Sequence, residues 1–135
     1  MIEKTISNDH YEIGYDLGAN RMYLRIKGFW KSPADVPEFV QDIDFISSKL
    51  RNGFTLLTDL RQMKTPPLSI NGVHEEAQKV VNRNGLSKTA EILPESNQIL
   101  DTVMKKVATD SGMRKQEFTT MRDAERWLDQ ISVNY

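Results

Sequence analysis

Apolar and polar residues alternate in two neighbouring stretches near the start of the chain. In "YEIGYDL", Tyr11, Ile13, Tyr15 and Leu17 share one side, and Glu12, Gly14 and Asp16 the other. In "MYLRIKGF", Met22, Leu24 and Ile26 oppose Tyr23, Arg25 and Lys27. A period of two is the mark of a half-buried strand. Two such runs around "GANR" predict an antiparallel hairpin with a partly solvated polar side. Residues 1–9 show no such pattern and read as a loose lead-in.

The period then lengthens. Val36, Phe39, Val40, Ile43, Ile46 and Leu50 recur at helical spacing. Ser32 is the expected N-cap, with Pro33 at the first helical position and Pro37 still inside the first turn. Gly53 is expected to stop this element in a left-handed conformation. "FTLLTDL" is short and densely apolar, as a strand buried on both faces is, and Pro66 and Pro67 break the chain after it. A second helix is expected over "LSINGVHEEAQKVVNRNG", capped by Ser69 and stopped near Gly85. "SKTAEIL" reads as a strand, "ESNQILDTVMKKVATDSG" as a helix and "QEFTT" as an edge strand. The last helix covers "TTMRDAERWLDQI", with Thr120 and Asp123 in capping-box spacing and Ala124, Trp127, Leu128 and Ile131 as its stripe.

Strands alternating with helices predict an α/β domain. Its sheet is mixed and mostly parallel, with about five strands, an N-terminal antiparallel hairpin and about four helices. The 135 residues suit one domain spanning 1–135. Eighteen Lys and Arg against nineteen Asp and Glu give a net charge of −1, so no general attraction to nucleic acid is expected. There is no cysteine, which removes thiolate catalysis, disulfides and cysteine metal sites. The N-terminus has no signal-peptide pattern, and no apolar run reaches the roughly 18 residues of a membrane span. A cytoplasmic, bacterial-type protein is the expectation.

The element order, with "YLRIKGFW" before the first helix and "GFTLLTDLRQM" after it, resembles the STAS family in its SpoIIAA-like branch. The late "AERWLDQ" helix is similar to that family's ending. The resemblance runs over about residues 10–131 and implies a small regulatory α/β domain that binds partners or small molecules. It also implies a phosphorylated Ser or Thr directly after an Asp at the end of the third strand. Asp59 matches that Asp, but Leu60 and Arg61 follow it, so the chain departs from the pattern at the acceptor itself.

In parallel sheets, ligands gather beyond the carboxyl ends of the strands. Those ends are expected near Gly28, Phe29 and Trp30, at Thr58 and Asp59, and at Leu93, Pro94 and Glu95, all on one rim. Helix starts near Ser32, Ser69 and Ser96 would point N–H groups at it. Phe29, Trp30, Asp59, Arg61, Met63 and Ser69 are therefore the candidate binding residues. Ser69 is also a possible phosphoacceptor displaced by a longer loop, where phosphate would add about −1.5 to −2 charges. Structural readings stand beside these. Asp59 can cap the following turn, Arg61 can pair with a carboxylate, Trp30 can cover the core edge and Ser69 can cap a helix.

Other chemistries find little footing. His10 and His74 lack metal spacing, and "HEE" at 74–76 reads as a solvated helix face. No nucleophile elbow, phosphate loop or dinucleotide fingerprint occurs, so no catalytic residue, metal or cofactor is implied. The expected function is a non-enzymatic module that engages a protein partner, or a small apolar or anionic ligand, at the rim after the third strand. The alternatives are a small enzyme with Asp59 as acid or base, and a homodimeric interaction protein.

Overall fold

The alternating runs pair as their pattern requires. The computed structural model describes residues 2–94 and 115–131. In it Tyr11–Asp16 (β2) and Arg21–Gly28 (β3) run antiparallel, from Tyr11 opposite Ile26 to Asp16 opposite Arg21. The lead-in is not loose: Glu3–Ser7 forms β1, antiparallel to β2 with a register shift between Lys4 and Ile6. Its strand character comes from the open edge of β2, which supplies backbone partners that no local side-chain pattern reveals. The shift passes Gly14, where a Cβ would stand 2.9 Å from the Glu3 carbonyl oxygen.

The strands Thr55–Met63 (β4), Lys88–Ile92 (β5) and Lys115–Phe118 (β6) continue the sheet in parallel. Among the described residues the sheet has six strands in the order β1-β2-β3-β4-β5-β6, one more than the pattern suggests because β1 joins it. Asp59 is not at a strand end. It pairs with Arg25 on one side and Ile92 on the other, and β4 runs on until Met63 lies opposite Gly28. The apolar run stops at Leu60, but β3 still offers ladder partners, so the strand continues through the exposed Arg61 and Gln62. Between Arg25 and Lys27 the register slips, and β4 carries one extra residue there, as in a β-bulge.

The first long helix begins later than its apolar spacing predicts. Pro33–Asp35 is a separate 3-10 turn, and α1 spans Phe39–Ser47. Pro37 disfavours a helical residue before it, and Val36 sits at φ −132°, ψ 57°. Ser32 makes no side-chain cap. Likewise Leu68–Ile70 is a 3-10 turn ahead of α2, Asn71–Arg83, so Ser69 lies inside that turn and does not cap α2. Gly53 adopts the left-handed conformation expected of it, at φ 91°, but α1 already ends at Ser47. Gly85, two residues past the end of α2, is also left-handed, at φ 105°. The final helix, α3, spans Met121–Ile131, and the Asp123 amide donates to Thr120 Oγ1 at 3.2 Å. The helix expected over residues 95–112 lies outside the described residues.

Each face of the sheet has its own apolar cluster. On one, α1 and α2 bury Met22, Leu24, Ile26, Leu56 and Leu60 against Phe39, Ile43, Ile46, Val80 and Val81. On the other, α3 sets Ala124 and Leu128 on Leu57, Ala90 and Ile92. Polar ties also hold α3 to this face. Buried Arg21 donates to Thr55 Oγ1 at 2.9 Å and Asp129 at 2.7 Å, and the Tyr23 hydroxyl donates to Glu125 at 2.7 Å. Beyond the first turn of α3, the face continues over β2 and β3 as a charged surface.

Candidate functional site

Strand register builds that charged surface. Glu12 on β2 lies opposite Arg25 on β3, and Arg25 lies opposite Asp59 on β4, so three charged side chains stand in one row. Lys27 and Arg61 extend the row at either end. Lys27 Nζ is 3.2 Å from Glu12, whose other oxygen is 3.8 Å from Arg25. Arg25 Nε is 3.4 Å from Asp59 Oδ2. Arg61 grips Asp59 with both arms of its guanidinium, Nε to Oδ1 at 3.0 Å and Nη2 to Oδ2 at 2.9 Å. The Arg61 amide adds a third bond to Oδ1 at 3.1 Å. The charges alternate along the row and both ends are positive.

Asp59 is nearly buried, at 3% exposure. Burial alone would push its carboxyl pKa up. The bonds from the Arg61 side chain and amide, with the charges of Arg61 and Arg25, outweigh this and hold it below the usual carboxylate range. Asp59 is thus a fixed anion. Asp59→Asn should lower the unfolding free energy by about 1–3 kcal/mol, because it removes a charged partner from two guanidiniums. Urea denaturation measures this, and an unchanged midpoint would show that the row contributes nothing to stability.

Beside the row lies an open cleft of about 160 Å³. Ile2, Tyr23, Leu57 and Met121 make its apolar walls, and Glu12, Arg25 and Asp59 its polar edge. Met121, at the start of α3, forms one lip, and Ile2, just ahead of β1, forms the other.

The expected binding residues do not form one patch. Asp59 and Arg61 meet at the row, and Phe29 is half-exposed just past β3. Trp30 and Met63 are core residues, at 1% and 5% exposure, and cannot supply a contact surface. Gly28, at φ 66°, turns the chain so that Trp30 folds back over the sheet, where its Nε1 donates to the His10 carbonyl at 3.1 Å. Ser69 is exposed on its 3-10 turn. Glu95 lies outside the described residues.

His74 also departs from expectation. It is not on a solvated face but 4% exposed, stacked on Trp30 with ring centroids 5.4 Å apart. His74, Ala77, Gln78 and Val81 fall at i, i+3, i+4 and i+7, all buried on one side of α2. That spacing was the available signal, obscured by the polar letters H and Q. Burial pushes the imidazole down to about 4. Beside it, Thr58, Gln78 and Glu91 join apolar residues around a small cavity of about 30 Å³. A water needs about 10–15 Å³, and an engineered cavity that binds benzene has about 150 Å³, so the space beside His74 suits water rather than a ring of that size. Arg25, Glu12 and Lys27 were missed as site residues because their meeting with Asp59 depends on inter-strand register.

No family model matches this chain, and no curated protein matches it. Among solved structures it is similar to an uncharacterised protein of the DUF3478 family, with a SpoIIAA-like fold, from Shewanella loihica PV-4. The two share 14% identity over 95% of this chain and 92% of the other, with a TM-score of 0.57. That likeness gives this chain a SpoIIAA-like fold, in agreement with the α/β architecture expected from the element order. A second similar structure is SiaC of Pseudomonas aeruginosa, at 10% identity over 87% of this chain and 99% of the other, with a TM-score of 0.47.

Proposed function

We propose that the protein is a non-enzymatic SpoIIAA-like regulatory module that engages a protein partner at the cleft beside Asp59. The observation that carries this reading is the state of Asp59. A general base needs access to its substrate and a pKa near the working pH. Asp59 is buried, both its oxygens are bonded to Arg61, and its pKa moves away from neutrality. The site is built to hold a charge in place, not to pass a proton.

The openness of the cleft favours a partner over a small ligand. Small-molecule pockets are concave and bury most of the surface of their ligand. The cleft, of about 160 Å³, lies open beside the charged row. One apolar side chain of a partner suits the cleft better than a whole ligand does. Exposed Phe29, just past β3, and exposed Leu68, on the turn ahead of α2, are further apolar groups open to a partner. Exposed Ser69 next to Leu68 is where phosphorylation would add charge to that turn.

Affinity capture from the host tests the reading, with wild type beside Met121→Arg, which places a charged side chain in the cleft from the half-buried start of α3. A partner held in stoichiometric amount by wild type and lost by a variant with an unchanged circular dichroism spectrum is expected. Identical captures from both proteins would overturn the assignment of the cleft.

A further inference from the structure

We infer that the partner presents an acidic segment with a single apolar anchor. The anchor would enter the Ile2–Met121 cleft, and its flanking carboxylates would meet Arg61 and Lys27. This rests on the proposal that the cleft is a partner site and specifies what that partner carries.

The argument is electrostatic and geometric. Lys27, Arg25 and Arg61 face Glu12 and Asp59, so three cations against two carboxylates leave the row positive. The chain as a whole has a net charge of −1. A locally positive row on a weakly negative protein selects for acidic partners and steers them to one face. The position of the surplus matters more than its size. Both carboxylates are interior members of the row, each held between two cations. The most exposed members of the row are cations, Arg61 at 45% and Arg25 at 37%, so an incoming chain meets positive charge first, with Lys27 at 23% behind them. An approaching cation would face like charge at both ends of the row.

The cleft sits against this row, with Glu12, Arg25 and Asp59 on its edge and Tyr23, Leu57, Met121 and Ile2 beyond them. At about 160 Å³ it matches the space of one aromatic or large aliphatic group, since an engineered cavity of about 150 Å³ holds benzene. An apolar side chain seated there places its neighbours in sequence over the charged row. Two acidic residues bracketing one leucine, methionine or phenylalanine therefore satisfy the surface. A nucleic acid would meet the cations but leave the apolar walls without a partner.

Selection from a library of displayed random peptides, with the full chain as bait, tests this. Enriched peptides should carry Asp or Glu on both sides of one large apolar residue. A synthetic peptide of that consensus should bind less tightly in high salt, where screening shortens to about 3 Å. Lys27→Gln combined with Arg61→Gln should weaken it about tenfold, as expected for two surface ion pairs near the upper end of their range. Lys27→Gln alone serves if the double variant does not fold. Enrichment of neutral or basic peptides that Met121→Arg still abolishes would overturn the acidic specificity and leave the partner site standing. Failure to enrich any peptide, salt-independent binding, or tighter binding of single-stranded DNA than of the peptide would also overturn it. The capture experiment decides the partner site separately.

Discussion

Trp30→Ala should lower the unfolding free energy by about 3–5 kcal/mol, the usual cost of removing a large aromatic from a core. That is a large share of the roughly 5–15 kcal/mol that holds a domain folded. Trp30 is 1% exposed and stands at the centre of an aromatic cluster. Its ring meets Phe39 edge-on at 4.9 Å and Tyr11 at 6.1 Å, and stacks on His74 at 5.4 Å. These contacts join β2, α1 and α2, so the loss falls on three elements together. The substitution also leaves the His10 carbonyl without its indole donor. Phe29→Ala is the matched control: its side chain is about half exposed, and surface changes of this kind stay within about 0.5 kcal/mol. Urea denaturation of the two variants separates a core residue from a contact residue at adjacent positions. A loss below about 1 kcal/mol for Trp30→Ala would place the indole outside the core.

The second large effect is on acid stability. The His74 pKa is about 4 in the folded protein, against about 6.5 when exposed to water. Because the folded value is the lower one, the unfolded chain takes up its proton first as the pH falls. Stability is therefore lost from about pH 6.5 down to about pH 4, and the loss levels off below that. At 1.36 kcal/mol per pKa unit, the full shift amounts to about 3 kcal/mol. Glu91 from β5 is the titratable group on the wall of the cavity beside His74. Asp59 is depressed as well, but its contribution is lost only as the pH falls below the usual carboxylate range, so the two windows are distinct. His74→Phe keeps a ring against Trp30 and removes the proton-binding nitrogen. Its unfolding free energy should stay nearly level between pH 6.5 and pH 4 while that of wild type falls. Equal slopes for the two proteins in that window would show that the imidazole titrates normally.

Local pattern carried most of the architecture of this protein. The alternation from Tyr11 to Phe29 specified the hairpin and its core face, because a strand must show one side to the core. The Thr120 and Asp123 spacing specified the start of α3, and Gly53 a left-handed residue, though not the end of α1, which stops at Ser47. The tertiary structure decided everything that depends on which strand lies beside which. It drew residues 3–7 into the sheet, carried β4 past Asp59, and stood Glu12, Arg25 and Asp59 in one row. It buried Trp30 and His74 against each other, although neither letter says which way its side chain faces. Periodicity reports how a segment meets its surroundings. It does not report the register between segments, and the charged row and its cleft are products of register alone.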